Sequence, residues 1–185
     1  MAQTLLITIA AFFSGFTGIT TLPFPEHMKV EEVEPVAKLS SIEKSEILWL
    51  ARVIFSETKD AGEMKLVGWV VRNRVETEYR GTTYEEVALS ASQFSGLNQK
   101  DEQYSTNINM EYETKNKKWA KALLVADEIY FASEDKRPFP KNVKHFYSPV
   151  SVSRTPKWTE GGELSYEVPG VNGMAPRFAF YSGVK

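Results

Sequence analysis

The spacing of apolar and polar positions changes three times along the chain, and each change marks an expected boundary. From Leu5 to Leu22 no side chain is charged, and the apolar run 5–13 is followed by Ser14, Gly15, Thr17 and Gly18. That is the layout of a secretory signal's apolar core and small-residue tail, although no Lys or Arg precedes it. Its length lies at the lower edge of what crosses a bilayer, so residues 1–24 are expected to be a signal peptide or a membrane anchor. Residues 25–40 bring Pro25, Glu26, Glu31, Glu32, Glu34 and Pro35 into a stretch poor in apolar residues, the composition of a linker. The folded domain is expected over 41–185.

Within that domain the period becomes helical. Ser40 with Glu43 three residues on is a capping-box pair, and Ile47, Leu50, Ala51 and Ile54 then recur on one face. Met64, Val67, Gly68, Val71 and Val75 mark a second helix, in which Gly68 implies close approach to a neighbouring backbone. Thr83 with Glu86 caps a short third helix through Val87 and Leu89. Residues 96–118 are polar and Asn-rich with no apolar face, which predicts a long loop or an insertion over the site. Trp119, Ala122, Leu123, Ala126 and Tyr130 define a fourth helix that must stop before Pro138 and Pro140. After this point the runs are short, aromatic and bounded by Pro and Gly: 143–147 and 178–181 predict strands. Helices first and short strands last is an α+β arrangement, mostly helical with a small C-terminal β-sheet.

Composition removes several function classes. Lys and Arg total 22 against 24 for Asp and Glu, so there is no cationic excess to neutralise a phosphate backbone and nucleic acid is not an expected partner. The absence of cysteine rules out a cysteine nucleophile and thiolate metal sites. With His27 and His145 as the two histidines, neither a metal centre nor another cofactor is expected.

Glu57 is the leading candidate for chemistry, because it continues the apolar stripe of the first helix by one further step. A carboxylate there faces the interior, where desolvation disfavours the anion and raises the pKa towards the range a general acid needs. Two structural roles compete with that reading: a helix that frays by Thr58, leaving Glu57 solvated, or an ion pair with Arg74.

The segment from Glu46 to Val75 resembles the opening of the spore cortex-lytic and cell-wall hydrolase family. The matching positions are Ala51-Arg52, two apolar residues, Phe55, Ser56 and the acid Glu57, then Asn73-Arg74-Val75. Gln93-Phe94-Ser95 is similar to that family's Gln-Phe-Ser element, His145-Phe146-Tyr147 with the later Trp158 to its His-Tyr segment, and Phe180-Tyr181 to its last strand. The turn after Glu57 is about two residues shorter than the usual one. The resemblance implies a fold related to lysozyme-like transglycosylases, an exported envelope enzyme, peptidoglycan glycan strands as substrate and Glu57 as catalytic acid. It further implies substrate-binding roles for Gln93, Ser95, His145, Tyr147 and Trp158. Water-using glycosidases need a second carboxylate, for which Asp60, Glu63, Glu160 and Glu163 remain by elimination. A lytic transglycosylase manages with one, and this is the favoured expectation. The alternatives are a hydrolytic muramidase and a non-catalytic peptidoglycan-binding module. From the residues alone, Gln93 and Ser95 could equally cap a helix, His145 could be structural, and Trp158 could plug the core.

Overall fold

The computed structural model describes residues 39–91 and 93–184; the expected signal or anchor and nearly all of the expected linker lie outside them. Among the described residues no helix is long and apolar enough to cross a membrane.

Helix α1 (Ser41–Glu57) opens on the expected capping box: the Ser40 hydroxyl accepts from the Glu43 amide, and the Glu43 carboxylate accepts from the Ser40 amide. It does not fray before the acid, since Thr58 is the cap and its amide still donates to the Ile54 carbonyl. Helix α2 (Ala61–Glu76) is capped by Asp60, whose carboxylate accepts from the amides of Gly62 and Glu63. Helix α3 (Tyr84–Leu89) is capped by Thr83. Helix α5 (Lys117–Phe131) starts at the Asn116 cap. Its buried stripe is Trp119, Ala122, Val125, Ala126 and Ile129, with Leu123 and Tyr130 at its margins. Helices α1, α2 and α5 pack on one another around a core of aliphatic residues with buried Trp49, Phe55, Trp69 and Trp119; Phe55 and Trp119 meet edge to face at 5.6 Å.

Gly68 lies at the crossing of these three helices. A Cβ there would run into the δ-methyl groups of Ile129 and Ile54, so the close neighbours are side chains rather than a backbone.

Residues 96–118 correct the loop expectation. They hold part of a 3-10 turn (Ser95–Leu97) and a short helix α4 (Tyr104–Ile108). The amide of fully buried Asn107 donates to the Gly96 carbonyl, and the Arg52 guanidinium donates to the Met110 carbonyl. These polar bonds, with the scattered apolar residues Leu97, Ile108 and Met110, hold the segment against the core; the apolar positions are too widely spaced to announce a face.

The sheet is antiparallel, ordered β1-β3-β2, with β1 His145–Tyr147, β2 Glu163–Val168 and β3 Phe178–Ser182. Strand β2 is an addition to the two expected strands. Leu164, Tyr166 and Val168 alternate between Gly161-Gly162 and Pro169-Gly170, a strand signal that the richer aromatic runs overshadow. Its side chains remain largely exposed, as suits an edge strand. The buried β3 residues Phe178 and Phe180 join the sheet to the helical core.

Asn73 of α2 ties the two layers together. Its amide donates to the carbonyls of Val143 (2.8 Å) and Pro140 (3.2 Å), and its oxygen accepts from Arg137. Arg74 next to it donates from Nε to the Lys144 carbonyl at 2.7 Å. These bonds set where the chain enters β1, and hence where His145 stands. The result is an α+β domain with five α-helices and a small antiparallel sheet among the described residues.

Candidate functional site

A cavity of about 910 Å³ opens between the end of α1, the turn after α2, the 91–95 segment and the sheet. Glu57, Gln93, Ser95, His145, Tyr147 and Trp158, six residues separated by up to a hundred positions, all line it.

Glu57 occupies the last position of α1. Its backbone is fixed by the helix, while its half-buried side chain opens on the cavity. Among the described residues it makes neither an ion pair nor a side-chain hydrogen bond, so Arg74 is a neighbour rather than a partner. Burial pushes its carboxyl up to about 7, against the opposing pull of the Arg74 and Lys59 charges. A carboxylic acid that still holds its proton near neutrality and has no internal acceptor is free to donate to whatever enters the cavity.

Gln93 and Ser95 reach the cavity because Phe94 between them does not. Phe94 is buried under the Arg74 guanidinium, 5.1 Å from the ring centre, and tilts against Phe146. The next residue, Gly96, lies so close to the end of α1 that a Cβ would stand 3.0 Å from that of Ser56. Gly96 therefore brings the loop down beside Glu57. Neither Gln93 nor Ser95 caps the adjacent 3-10 turn; among the described residues the Gln93 side-chain amide donates to the Ala91 carbonyl alone, at 3.3 Å.

The opposite wall is aromatic. Strand alternation sends Phe146 to the core side, where it packs on Phe178 and Phe180. His145 and Tyr147 both meet Trp158, at 5.5 and 5.8 Å between ring centres, and Trp158 also meets Tyr181 at 5.5 Å. Trp158 is thus a half-buried part of the wall and not a core plug. His145 is held from behind by the Tyr79 hydroxyl, 2.9 Å from Nε2. Burial, aided by Arg74, Arg80 and Lys144, pushes its pKa down to about 4, so the ring is neutral across the physiological range.

The four residues considered as a second carboxylate are elsewhere. Asp60 caps α2, and buried Glu63 accepts from the Thr58 hydroxyl and from Arg177. Neither these two nor Glu160 and Glu163 line the cavity, and Glu57 is the one carboxylate among its described lining residues. Among the described residues no group of three or more His, Cys, Asp or Glu side chains converges in a way that could hold a metal ion.

Sequence reasoning missed the contributions of Tyr79, Arg80 and Arg177, which also line the cavity. The first two follow α2 in a turn where Glu78 (φ 53°) and Arg80 (φ 69°) take the left-handed conformation. The Tyr79 amide donates to the Arg74 carbonyl, fixing the turn against the helix end. No motif in this stretch announces it, since positive φ at Glu and Arg runs against residue preference.

The two shifted groups make opposite contributions to stability over one pH window. Glu57 has a folded pKa near 7 against an ordinary 4.5, so its contribution is full below about pH 4.5 and is lost as pH rises towards 7. His145 has a folded pKa near 4 against an ordinary 6.5, so its contribution is full above about 6.5 and is lost as pH falls towards 4. Urea midpoints measured from pH 4 to 8 should therefore show Glu57→Gln gaining on the wild type as pH rises, and His145→Gln gaining as pH falls. About 1–2 kcal/mol is expected in each case, after allowing for water in the cavity. Parallel pH curves for wild type and Glu57→Gln would contradict the buried, uncompensated carboxyl.

No protein-family model, curated protein sequence or solved structure matches the chain.

Proposed function

We propose that the protein cleaves peptidoglycan glycan strands as a lytic transglycosylase, with Glu57 as general acid and then general base, on a domain related to the lysozyme-like transglycosylases. The observation that carries this reading is the lone carboxylate. A cavity large enough for sugar rings contains one acid, protonated near neutrality, and no described second carboxylate to activate water or trap a glycosyl cation.

Chemistry with one acid closes its own proton cycle. Glu57 donates its proton to the glycosidic oxygen between N-acetylmuramic acid and N-acetylglucosamine, and the C1–O bond breaks. The resulting carboxylate, eased by the nearby Arg74 charge, takes the proton of the muramyl C6 hydroxyl as O6 bonds to C1. The products are a 1,6-anhydro-muramyl end and a free N-acetylglucosamine hydroxyl, and Glu57 is again protonated.

One side of the lining suits the amide and hydroxyl groups of an N-acetyl sugar. Gln93 and Ser95 supply hydrogen-bonding groups without charge, and Trp158 with Tyr147 supplies a stacking wall. Neutral His145 can accept or donate a hydrogen bond without adding a competing acid at working pH. Export to the cell envelope, by a signal or an anchor at the N-terminus, belongs to the same reading, since the substrate lies there.

Incubating purified glycan strands with the protein and weighing the fragments tests it. Fragments should carry anhydro-muramyl ends, lighter than hydrolysis products by the one water not added, about 18 Da. Reducing muramyl ends would replace the transglycosylase with a muramidase, and intact strands that still bind the protein would leave a binding module.

A further inference from the structure

The charges lining the cavity do not balance: among the described residues three arginines face it against the single carboxyl of Glu57. Arg52, Arg72, Arg137 and Arg177 each pair with a glutamate. Arg74, Arg80 and Lys144 do not: among the described residues none of the three takes part in an ion pair. They surround one aromatic pair. Arg80 and Lys144 lie over the Tyr79 ring, at 5.3 and 4.6 Å from its centre, and Arg74 bonds the Lys144 carbonyl. Arg74 and Arg80 line the cavity.

Arg74 is the most informative of them. It is 3% exposed, and its Nη1 is buried without a hydrogen-bond partner among the described residues. A buried guanidinium with no counter-ion is costly, and its field is weakly screened from the adjoining cavity. Arg80 adds a second charge through a turn held in left-handed backbone conformation, which costs about 1 kcal/mol per residue. Of the two residues in that conformation, Arg80 faces the cavity while the acidic one, Glu78, is absent from its lining. The other lining arginine, Arg177, is neutralised by Glu63. A neutral sugar would satisfy Gln93, Ser95 and Trp158 and leave this side uncompensated.

We propose that the Arg74–Arg80 side of the cavity, backed by Lys144, is an anion subsite that receives a carboxylate of the glycan strand. The inference rests on the glycan reading above and makes it more specific: the preferred sugar is a muramyl residue whose lactyl carboxylate is free, as in peptide-free strands. Glu57 does not neutralise this side: among the described residues it makes no ion pair or hydrogen bond with Arg74, and with a pKa near 7 it is only partly ionised at neutrality. Arg74 supplies the buried field and Arg80, exposed at the cavity, the direct contact.

The test uses the full chain and four small probes in chemical-shift titrations: N-acetylmuramic acid, its methyl ester, muramyl dipeptide and N-acetylglucosamine. The free acid should bind about tenfold more tightly than its ester or N-acetylglucosamine, the scale of one charge-assisted contact. The gap should narrow with added salt and close in Arg80→Gln, whose exposed side chain makes no hydrogen bond or ion pair among the described residues. Equal binding of acid and ester by the wild type overturns the proposal, as does a gap that persists in Arg80→Gln. If muramyl dipeptide matches the free acid and shows the same Arg80 dependence, the subsite stands and its carboxylate comes from the stem peptide. Strand cleavage measured on the same preparation separates the two levels. Cleavage without acid preference removes the subsite alone, whereas acid preference without cleavage removes the enzyme and keeps the subsite.

Discussion

Glu57→Gln is expected to leave a folded protein that binds insoluble peptidoglycan and no longer cuts it, with strand cleavage down by about 10²-fold or more. The side chain ends a helix whose cap is backbone, the Thr58 amide bonding the Ile54 carbonyl, so nothing in α1 depends on the carboxylate. Among the described residues it makes no ion pair that the amide would break. The amide has nearly the same shape, keeps the cavity's volume and removes a group that is costly to ionise there, so stability above neutrality should hold or rise. What the amide lacks is a transferable proton, and that single loss stops both halves of the proton cycle. Activity and sacculus pull-down measured side by side check this. A variant that cleaves at the wild-type rate would falsify the proposed mechanism, and one that neither folds nor binds would assign Glu57 a structural role.

Asn73→Ala should produce the other large effect, this time on the fold. Asn73 is fully buried and serves three partners: the carbonyls of Val143 and Pro140 and the guanidinium of Arg137. Truncation strands the Val143 carbonyl, frees Arg137 on that side and leaves a small void. Each lost buried partner costs about 1–3 kcal/mol, and the surroundings relax in part, so a loss of about 2–4 kcal/mol is expected. That is a large share of the roughly 5–15 kcal/mol that holds a domain together. Because the stranded carbonyl lies two residues before His145, the cavity wall should loosen as well, and cleavage should fall more than the fraction unfolded accounts for. Urea unfolding checks the first part, with exposed Lys121→Ala as a control expected within about 0.5 kcal/mol of wild type. An unchanged midpoint would mean that the layers are joined by something other than Asn73.

The contrast between Asn73 and Glu57 explains what could be read from the chain and what could not. The helices were legible because each carries its own start signal and stripe, local features written within one or two turns. Glu57 was legible as the next step of such a stripe. Asn73 was visible as part of an Asn-Arg-Val motif, but its partners lie some seventy residues on, and no local pattern reports a bond of that span. The same holds for residues 96–118, whose anchoring by Asn107 and Arg52 uses polar groups that look like a loop's own. Gathering Gln93, Ser95, His145, Tyr147 and Trp158 beside Glu57 rested on resemblance, since the cavity is made by tertiary packing. Arg80 escaped even that, because its placement depends on a left-handed turn that its residue type disfavours.

The strand order also bears on the sequence of events in folding. Strands β1 and β2 share no hydrogen bonds; each pairs only with β3, which follows both along the chain and lies between them. The helices can nucleate from near-neighbour contacts, which close quickly, whereas the sheet waits for a segment more than thirty residues beyond β1. Glu57 therefore sits on a helix that can form locally, whereas the aromatic wall of the cavity forms late. Residues 178–182 act as a keystone: until they are seated, strand β1 has no partner and the aromatic wall of His145, Tyr147 and Trp158 lacks the Tyr181 ring it packs on.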